Sequence, residues 1–307
     1  MRMRTLIAGA AGLAAVAATA APASAIKWGE PDDGEHPYVG LMVAYTTQSV
    51  DTDDDGEDDY TGLVAAWRCS GTQMDENTFL TAGHCTYGAE AVAIWYDDDL
   101  RDVQDARDYR LFEDAIDQDS GIDADAWSYD AISHEDYHDA LFYLHDVGVV
   151  DQIELAEGTR FSAFGQLPEG GYWDEQLATR KKDRDSYETV GYGLQWSTPY
   201  RGNSEPSDNN NARQDEALWT KLKAGGDLIG YRQFGGGKTN DAYVVLTNNA
   251  NTGGTCSGDS GGPTFIEDGN TVVAVTSFGM NVTCAGTGGV YRIDTEDDLA
   301  WLGEFID

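Results

Sequence analysis

Gly258-Asp259-Ser260-Gly261-Gly262 is the segment of this chain best suited to covalent chemistry. Glycines on both sides of a serine allow a tight turn that exposes the hydroxyl and leaves neighbouring amides free to point at a developing oxyanion. A serine hydroxyl is a weak nucleophile until a base takes its proton, so it needs a histidine or an equivalent partner. Five histidines are present, His36, His84, His134, His138 and His145, and all precede Ser260. His84 stands beside a cysteine in Thr81-Ala82-Gly83-His84-Cys85. The bland reading of Ser260 is a glycine-rich turn in a chain that holds 36 glycines.

Chain order separates the enzyme readings. Gly-x-Ser-x-Gly is also the nucleophile elbow of α/β-hydrolases, but there the histidine follows the serine, so that reading fails. A subtilisin-like order places the aspartate before the histidine; residues 51–59 offer carboxylates, yet nothing around His84 or Ser260 supports that arrangement. The order His, Asp, Ser remains. Asp146 is the preferred third member, because the apolar run behind it would bury its carboxylate against the histidine. His145 and Asp151 are the alternatives in a shifted alignment.

Three phrases carry a resemblance: Cys69-Ser70-Gly71-Thr72 with Phe79-Leu80-Thr81-Ala82-Gly83-His84-Cys85, then His145-Asp146-Val147-Gly148-Val149-Val150, then Cys256-Ser257-Gly258-Asp259-Ser260-Gly261-Gly262-Pro263. Through them residues 26–307 resemble the chymotrypsin/trypsin-like serine proteases, above all the secreted bacterial members. The resemblance implies an all-β fold of two antiparallel six-stranded β-barrels with a C-terminal helix, and a serine endopeptidase site between the barrels. His84 and Asp146 would come from the first barrel and Ser260 from the second, with the amides of Gly258 and Ser260 as oxyanion hole. Gly254, Thr255, Ser277, Phe278, Gly279 and Gly289 would line the substrate pocket. In the trypsin branch an Asp lies six residues before the nucleophile; here that residue is Gly254, which implies an uncharged floor and cleavage after large apolar or aromatic residues. A pocket blocked by the insertion at residues 280–288 is the alternative, and would restrict it to small ones. The resemblance also implies that Ile26, as a mature N-terminus, pairs its ammonium with Asp259, although the family's Ile-Val-Gly-Gly is Ile26-Lys27-Trp28-Gly29 here. Peptides or proteins are the implied partners of a monomer that needs no cofactor. A catalytically inactive homologue that binds a partner is the second class of function, but such proteins usually lack a triad member and none is missing.

The elements that must position these residues are short β-type runs between turn signals, at 39–44, 63–67, 78–80, 91–96, 147–150, 189–194, 243–247, 271–276 and 289–293. One helix is expected at the end, where Thr295 starts a Thr-x-x-Asp cap and Leu299, Leu302 and Ile306 share a face that packs back onto the second half. Acidic or Gly/Asn-rich stretches at 51–59, 97–130 and 201–215 read as surface insertions.

Residues 1–25 read as a secretory signal, with Arg2 and Arg4 ahead of an Ala-rich stretch and Ala23-Ser24-Ala25 as the cleavage site. No later run is apolar enough for a membrane span. Four cysteines in an exported chain read as two disulfides, with three pairings open; the family pattern selects Cys69 with Cys85 and Cys256 with Cys284. With 19 Lys plus Arg against 55 Asp plus Glu, the net charge is −36, which excludes a nucleic-acid binder held by phosphate contacts. Asp51, Asp53 and Asp55 alternate before Gly56 as in a calcium loop, but no Glu closes it, and a solvated hairpin tip is the simpler reading.

Overall fold

The computed structural model describes residues 25–52, 55–119, 121–141, 144–199, 213–216, 218–231, 243–279 and 284–306. Two eight-stranded antiparallel sheets dominate it. In the first the order is Asp130–Ser133, Gly148–Asp151, Phe79–Thr81, Tyr60–Gln73, Val39–Val50, Ala91–Trp95, Ala126–Ser128 and Glu154–Leu155. In the second it is Glu30–Pro31, Leu222–Gly226, Tyr187–Gly191, Pro263–Ile266, Val272–Gly279, Gly286–Arg292, Tyr243–Asn248 and Leu228–Tyr231. Strands Trp196–Pro199 and Arg213–Glu216 form a separate two-stranded ribbon.

Each sheet curls by the same device. Ala126–Ser128 and Asp130–Ser133 are joined through Tyr129 alone, yet they pair at opposite sides of the first sheet, so its two ends are brought together. Leu222–Gly226 and Leu228–Tyr231 do the same in the second sheet through Asp227. The expected double-barrel architecture is therefore present, with eight rather than six strands in each hydrogen-bonded order, one of them a two-residue edge strand, Glu154–Leu155 in the first sheet and Glu30–Pro31 in the second.

The strand Val39–Val50 shows why one stretch read as a surface insertion is something else. Its first seven residues are buried on both faces. Met42 and Ala44 join the inner core with Val92 and Ile94, while Leu41, Val43 and Tyr45 face outward onto Leu100, Val103, Phe112, Ala115 and Ala124. Residues 97–130 thus supply helices Arg101–Ala106 and Phe112–Ala115, which cover the outside of the first sheet, as well as the strand Ala126–Ser128. Burying each such Leu, Val or Phe side chain stabilises the fold by about 1.5–3 kcal/mol, which outweighs the cost of carrying an acidic face into water.

The terminal helix, Glu296–Leu302, begins as expected, with Thr295 Oγ1 accepting from Asp298 N at 3.1 Å. It packs back onto the second half as expected, with Tyr291 OH donating to Asp298 Oδ1 at 3.0 Å, and it also reaches beyond that half. Thr78 Oγ1 donates to Phe305 O at 2.8 Å and the Trp301 ring lies 5.0 Å from that of His134, so the end of the chain crosses to the first half. The beginning crosses the other way, for Glu30 pairs with Lys223 and Pro31 with Leu222. No described helix is long and apolar enough to cross a membrane. Of the expected leader only Ala25 is described, and residues 201–212 and 280–283 also lie outside the described residues.

Candidate active site

His84 lies in the single helical turn Gly83–Thr86 that follows the strand Phe79–Thr81. Gly83 has no room for a side chain, since a Cβ there would come within 2.9 Å of the Tyr137 ring and 3.1 Å of Val147 O. That close approach sets the turn against the loop carrying Asp146. The Cys69–Cys85 disulfide ties the same turn to the strand Tyr60–Gln73.

Asp146 is fully buried, and its carboxylate is surrounded by donors. Oδ1 accepts from His84 N at 2.9 Å, and Nδ1 of the ring lies 3.1 Å from Oδ1 and 3.0 Å from Oδ2. Ser277 Oγ, from the second sheet, donates to Oδ2 at 2.5 Å. An ionised carboxylate only accepts, so Nδ1 carries a proton and the neutral ring keeps its lone pair on Nε2. Burial opposes protonation of His84, but the charge and hydrogen bond of Asp146 outweigh it and the imidazole is held above its ordinary pKa. Neither alternative third member reaches the ring's Nδ1. His145, at φ +52°, stacks on His134 with centroids 4.5 Å apart and turns Nδ1 toward Asp297 and Asp298 at 3.7 and 3.9 Å. Asp151 pairs across the sheet with Asp130.

The Ser260 turn is pressed against the His84 segment. Gly261 has φ +77°, and a Cβ on it would fall 1.9 Å from Thr81 Oγ1 and 2.8 Å from Ala82 N. Ser70 clamps the turn from the first sheet: its amide donates to Ser260 O at 2.8 Å and its hydroxyl to Gly258 O at 3.0 Å. Among the described residues the amides of Gly258 and Ser260 donate to no other protein group, and Ser260 Oγ makes no hydrogen bond. Both amides and the hydroxyl are therefore available to a ligand.

Asp259, between them, is fully buried. It accepts from Gly193 N at 2.7 Å and Cys256 N at 2.8 Å, and the Ile26 side chain is buried with Leu222 and Ala224. Burial pushes its carboxyl up to about 7, against the opposing pull of those amides and of the Arg68 charge.

The Cys256–Cys284 disulfide joins the Ser260 loop to the approach of the strand Gly286–Arg292. Gly254 lies at the start of that loop with φ +152°, and a Cβ on it would meet Asn248 Cγ at 2.4 Å. Asn248 donates through Nδ2 to Thr255 O at 2.8 Å, so a neutral amide fills the space beneath Gly254. Nothing in the local sequence marks Asn248, which simply ends a β run. Gly289 lies under Phe278, whose ring would be 2.4 Å from its Cβ.

Ser277, Phe278 and Gly279 end a strand that pairs with Gly286–Arg292 on one side, while the pairing with Pro263–Ile266 on the other stops at Val275. Among the described residues that second ladder extends no further along the strand. The register shifts between Thr276 and Phe278, a bulge of the kind that re-aims a side chain, and it is Ser277 that reaches Asp146.

Of the calcium candidates, Asp53 lies outside the described residues. Asp51 accepts from Asp55 N at 3.3 Å and Gly56 N at 2.6 Å, which closes the hairpin tip on itself.

The sequence profile of the family described as Trypsin matches residues 48–296. No curated protein matches the chain. A solved structure described as HL collagenase superposes with a TM-score of 0.54 at 19% identity, covering 88% of this chain and 94% of that one, a likeness of fold. Given the extent of the profile match, together with the double sheet and the histidine, aspartate and serine gathered where its halves meet, the chain belongs to the trypsin family.

Proposed function

We propose that this serine endopeptidase cleaves peptide bonds through a His84, Asp146 and Ser260 triad and an acyl-enzyme. The observation that carries the reading is the buried Asp146 carboxylate, which bonds both the backbone and Nδ1 of His84. With Nδ1 protonated, Nε2 is the basic atom; it takes the Ser260 proton as Oγ attacks the scissile carbonyl and returns it to the leaving amine. The amides of Gly258 and Ser260 receive the oxyanion in this reading, an interaction whose single donors are worth ~10²–10³ in rate. The hydrogen bond from Ser260 to His84 forms when substrate is bound, as catalytic contacts commonly tighten only then. Water, activated by the same imidazole, then releases the acyl group. Side chains and amides carry every step.

The end of the strand Val272–Gly279, beyond its ladder with Pro263–Ile266, is where a substrate backbone would add as an extra strand. The neutral floor at Gly254 and Asn248 favours large apolar or aromatic residues before the scissile bond. With peptides differing only at that position, Phe, Tyr and Leu are expected to give the highest kcat/KM; a maximum for Arg at high salt, where attraction to the acidic surface is screened, refutes this. Export of the chain, with residues 1–25 removed, fits its two disulfides.

A sulfonyl fluoride tests the whole reading. Stoichiometric label on Ser260, found by peptide mapping, requires a working base, whereas a folded and unlabelled protein would mark an inactive homologue. Because the working form of His84 is neutral and its pKa is raised, kcat/KM should climb with pH through a midpoint above the ordinary histidine value of about 6.5. A midpoint below that value would contradict the Asp146 contact.

A further inference from the structure

A second aspartate and histidine are bonded to each other among the groups that the triad does not use. Asp32 is fully buried; its Oδ2 accepts from His36 N at 2.9 Å, and its Oδ1 lies 2.5 Å from His36 Nδ1. The imidazole is fixed on its face as well, stacked on Phe265 with centroids 5.0 Å apart and planes 8° from parallel. His36 is only 6% exposed, and it lines a cleft of about 720 Å³ together with Glu30, Glu35, Glu188, Lys223 and Glu267.

A ring nitrogen that bonds a carboxylate carries the proton, so the Asp32 contact leaves the lone pair of the neutral ring on Nε2. That atom faces Glu188 Oε1 at 3.4 Å and makes no hydrogen bond among the described residues. Two atoms that both offer electron pairs stay opposed in a cleft only with a cation between them. A second proton on the ring is one such cation, and a metal ion is the other. The spacing fits a metal: zinc bonds imidazole nitrogen and carboxylate oxygen at about 2.0–2.2 Å in a tetrahedron, which sets neighbouring ligand atoms about 3.4 Å apart. Asp32 behind His36 is also the arrangement that orients metal-bound imidazoles and strengthens them as ligands. Lys223 Nζ lies 3.6 Å from Glu188 Oε2 and 2.7 Å from Glu35 Oε2, so it draws on the far oxygen of Glu188 and leaves Oε1 to His36. Against that one ammonium the cleft sets the carboxylates of Glu30, Glu35, Glu188, Glu267 and Asp268, a balance that attracts a divalent cation. Lys221, the ammonium that bonds His36 O, is itself paired with Asp98 at 3.1 Å.

We propose that His36 Nε2 and Glu188 Oε1 are ligands of a zinc ion, with Asp32 orienting the imidazole and with Glu35, swung from Lys223, and water completing the shell. His36 precedes the strand Val39–Val50 of the first sheet and Glu188 lies on the strand Tyr187–Gly191 of the second, so the ion fastens one half to the other. Its work is stability, and it depends on neither His84 nor Ser260.

The test is a titration of the purified protein with zinc chloride, after EDTA treatment and dialysis into excess calcium chloride, which covers oxygen sites on the acidic surface but competes poorly for imidazole. Calorimetry is expected to show one zinc bound per chain with a micromolar Kd, and the melting temperature is expected to rise by about 5 °C at a hundredfold excess over Kd. Glu188→Gln and His36→Gln, each with unchanged circular dichroism, should weaken binding about 100-fold and lose the rise in melting temperature; Asp32→Asn and Glu35→Gln should weaken it about tenfold. If His36→Gln or Asp32→Asn does not fold, Glu188→Gln decides alone, since its side chain is on the cleft wall and 18% exposed. A wild type without the one-to-one zinc phase overturns the proposal and leaves a second proton as the cation at His36. A phase unchanged in folded Glu188→Gln overturns it as well, and would put the zinc elsewhere, as at the cluster of His134, His145 and Asp297.

Discussion

Ser260→Ala is expected to lower peptide hydrolysis on the order of a millionfold, the scale on which serine proteases lose activity without their nucleophile. The loss should fall on kcat, with peptide binding retained, because the pocket edge at Ser277 to Gly279 and the floor at Asn248 are untouched. The fold should survive as well: among the described residues Ser260 Oγ makes no hydrogen bond, and the turn is held through Ser260 O and Gly258 O, which the substitution leaves in place. His84→Ala should cost about as much, and the double variant no more than either alone, since the two act as one unit. Hydrolysis by Ser260→Ala within a hundredfold of wild type would mean that the nucleophile lies elsewhere.

Asp146→Asn is expected to cost about 10⁴ in kcat while keeping the overall structure. The substituted amide presents donors where His84 Nδ1 now donates, so the ring turns its lone pair inward and offers Ser260 a protonated Nε2 that cannot act as base. Ser277→Ala should cost less, about 10–100-fold, the equivalent of one hydrogen bond to a charged group. Asp151→Asn should leave activity within a few-fold, because Asp151 lies on the strand Gly148–Asp151 opposite Asp130. An active Asp146→Asn beside a dead Asp151→Asn would reverse the assignment.

The catalytic phrases were legible in the sequence because their glycines answer to geometry. Gly83 and Gly261 sit where any Cβ would strike backbone, and such constraints leave short, distinctive strings. Both disulfides join the partners that the resemblance implied. Strands were legible where β-branched residues cluster, as in Val147-Gly148-Val149-Val150, and not where packing alone makes them. Asp130–Ser133 and Leu222–Gly226 carry too few apolar residues to register, yet they close the two sheets. In residues 97–130 the density of acids concealed Leu100, Val103, Phe112 and Ala115, whose apolar faces cover the outside of the first sheet. Ser277 was visible as a substrate contact but not as a donor to Asp146, because that bond joins positions 131 residues apart and depends on how the halves meet. Asn248 lay outside every motif and became visible only in the fold, where its amide lies beneath Gly254 and donates to Thr255 O.

The exchange of chain ends between the halves governs when the molecule is able to fold. Glu30 and Pro31 wait for Leu222 and Lys223 before they join a sheet, and Thr78 waits for Phe305, 227 positions later. Neither half is complete by itself: the first takes contacts from Trp301 and Phe305, and the second takes its edge strand from Glu30–Pro31. Contacts at such separation make loop closure costly and folding slow. A chain that has not yet extended to Phe305 therefore lacks the contacts that tie its two halves together at this end.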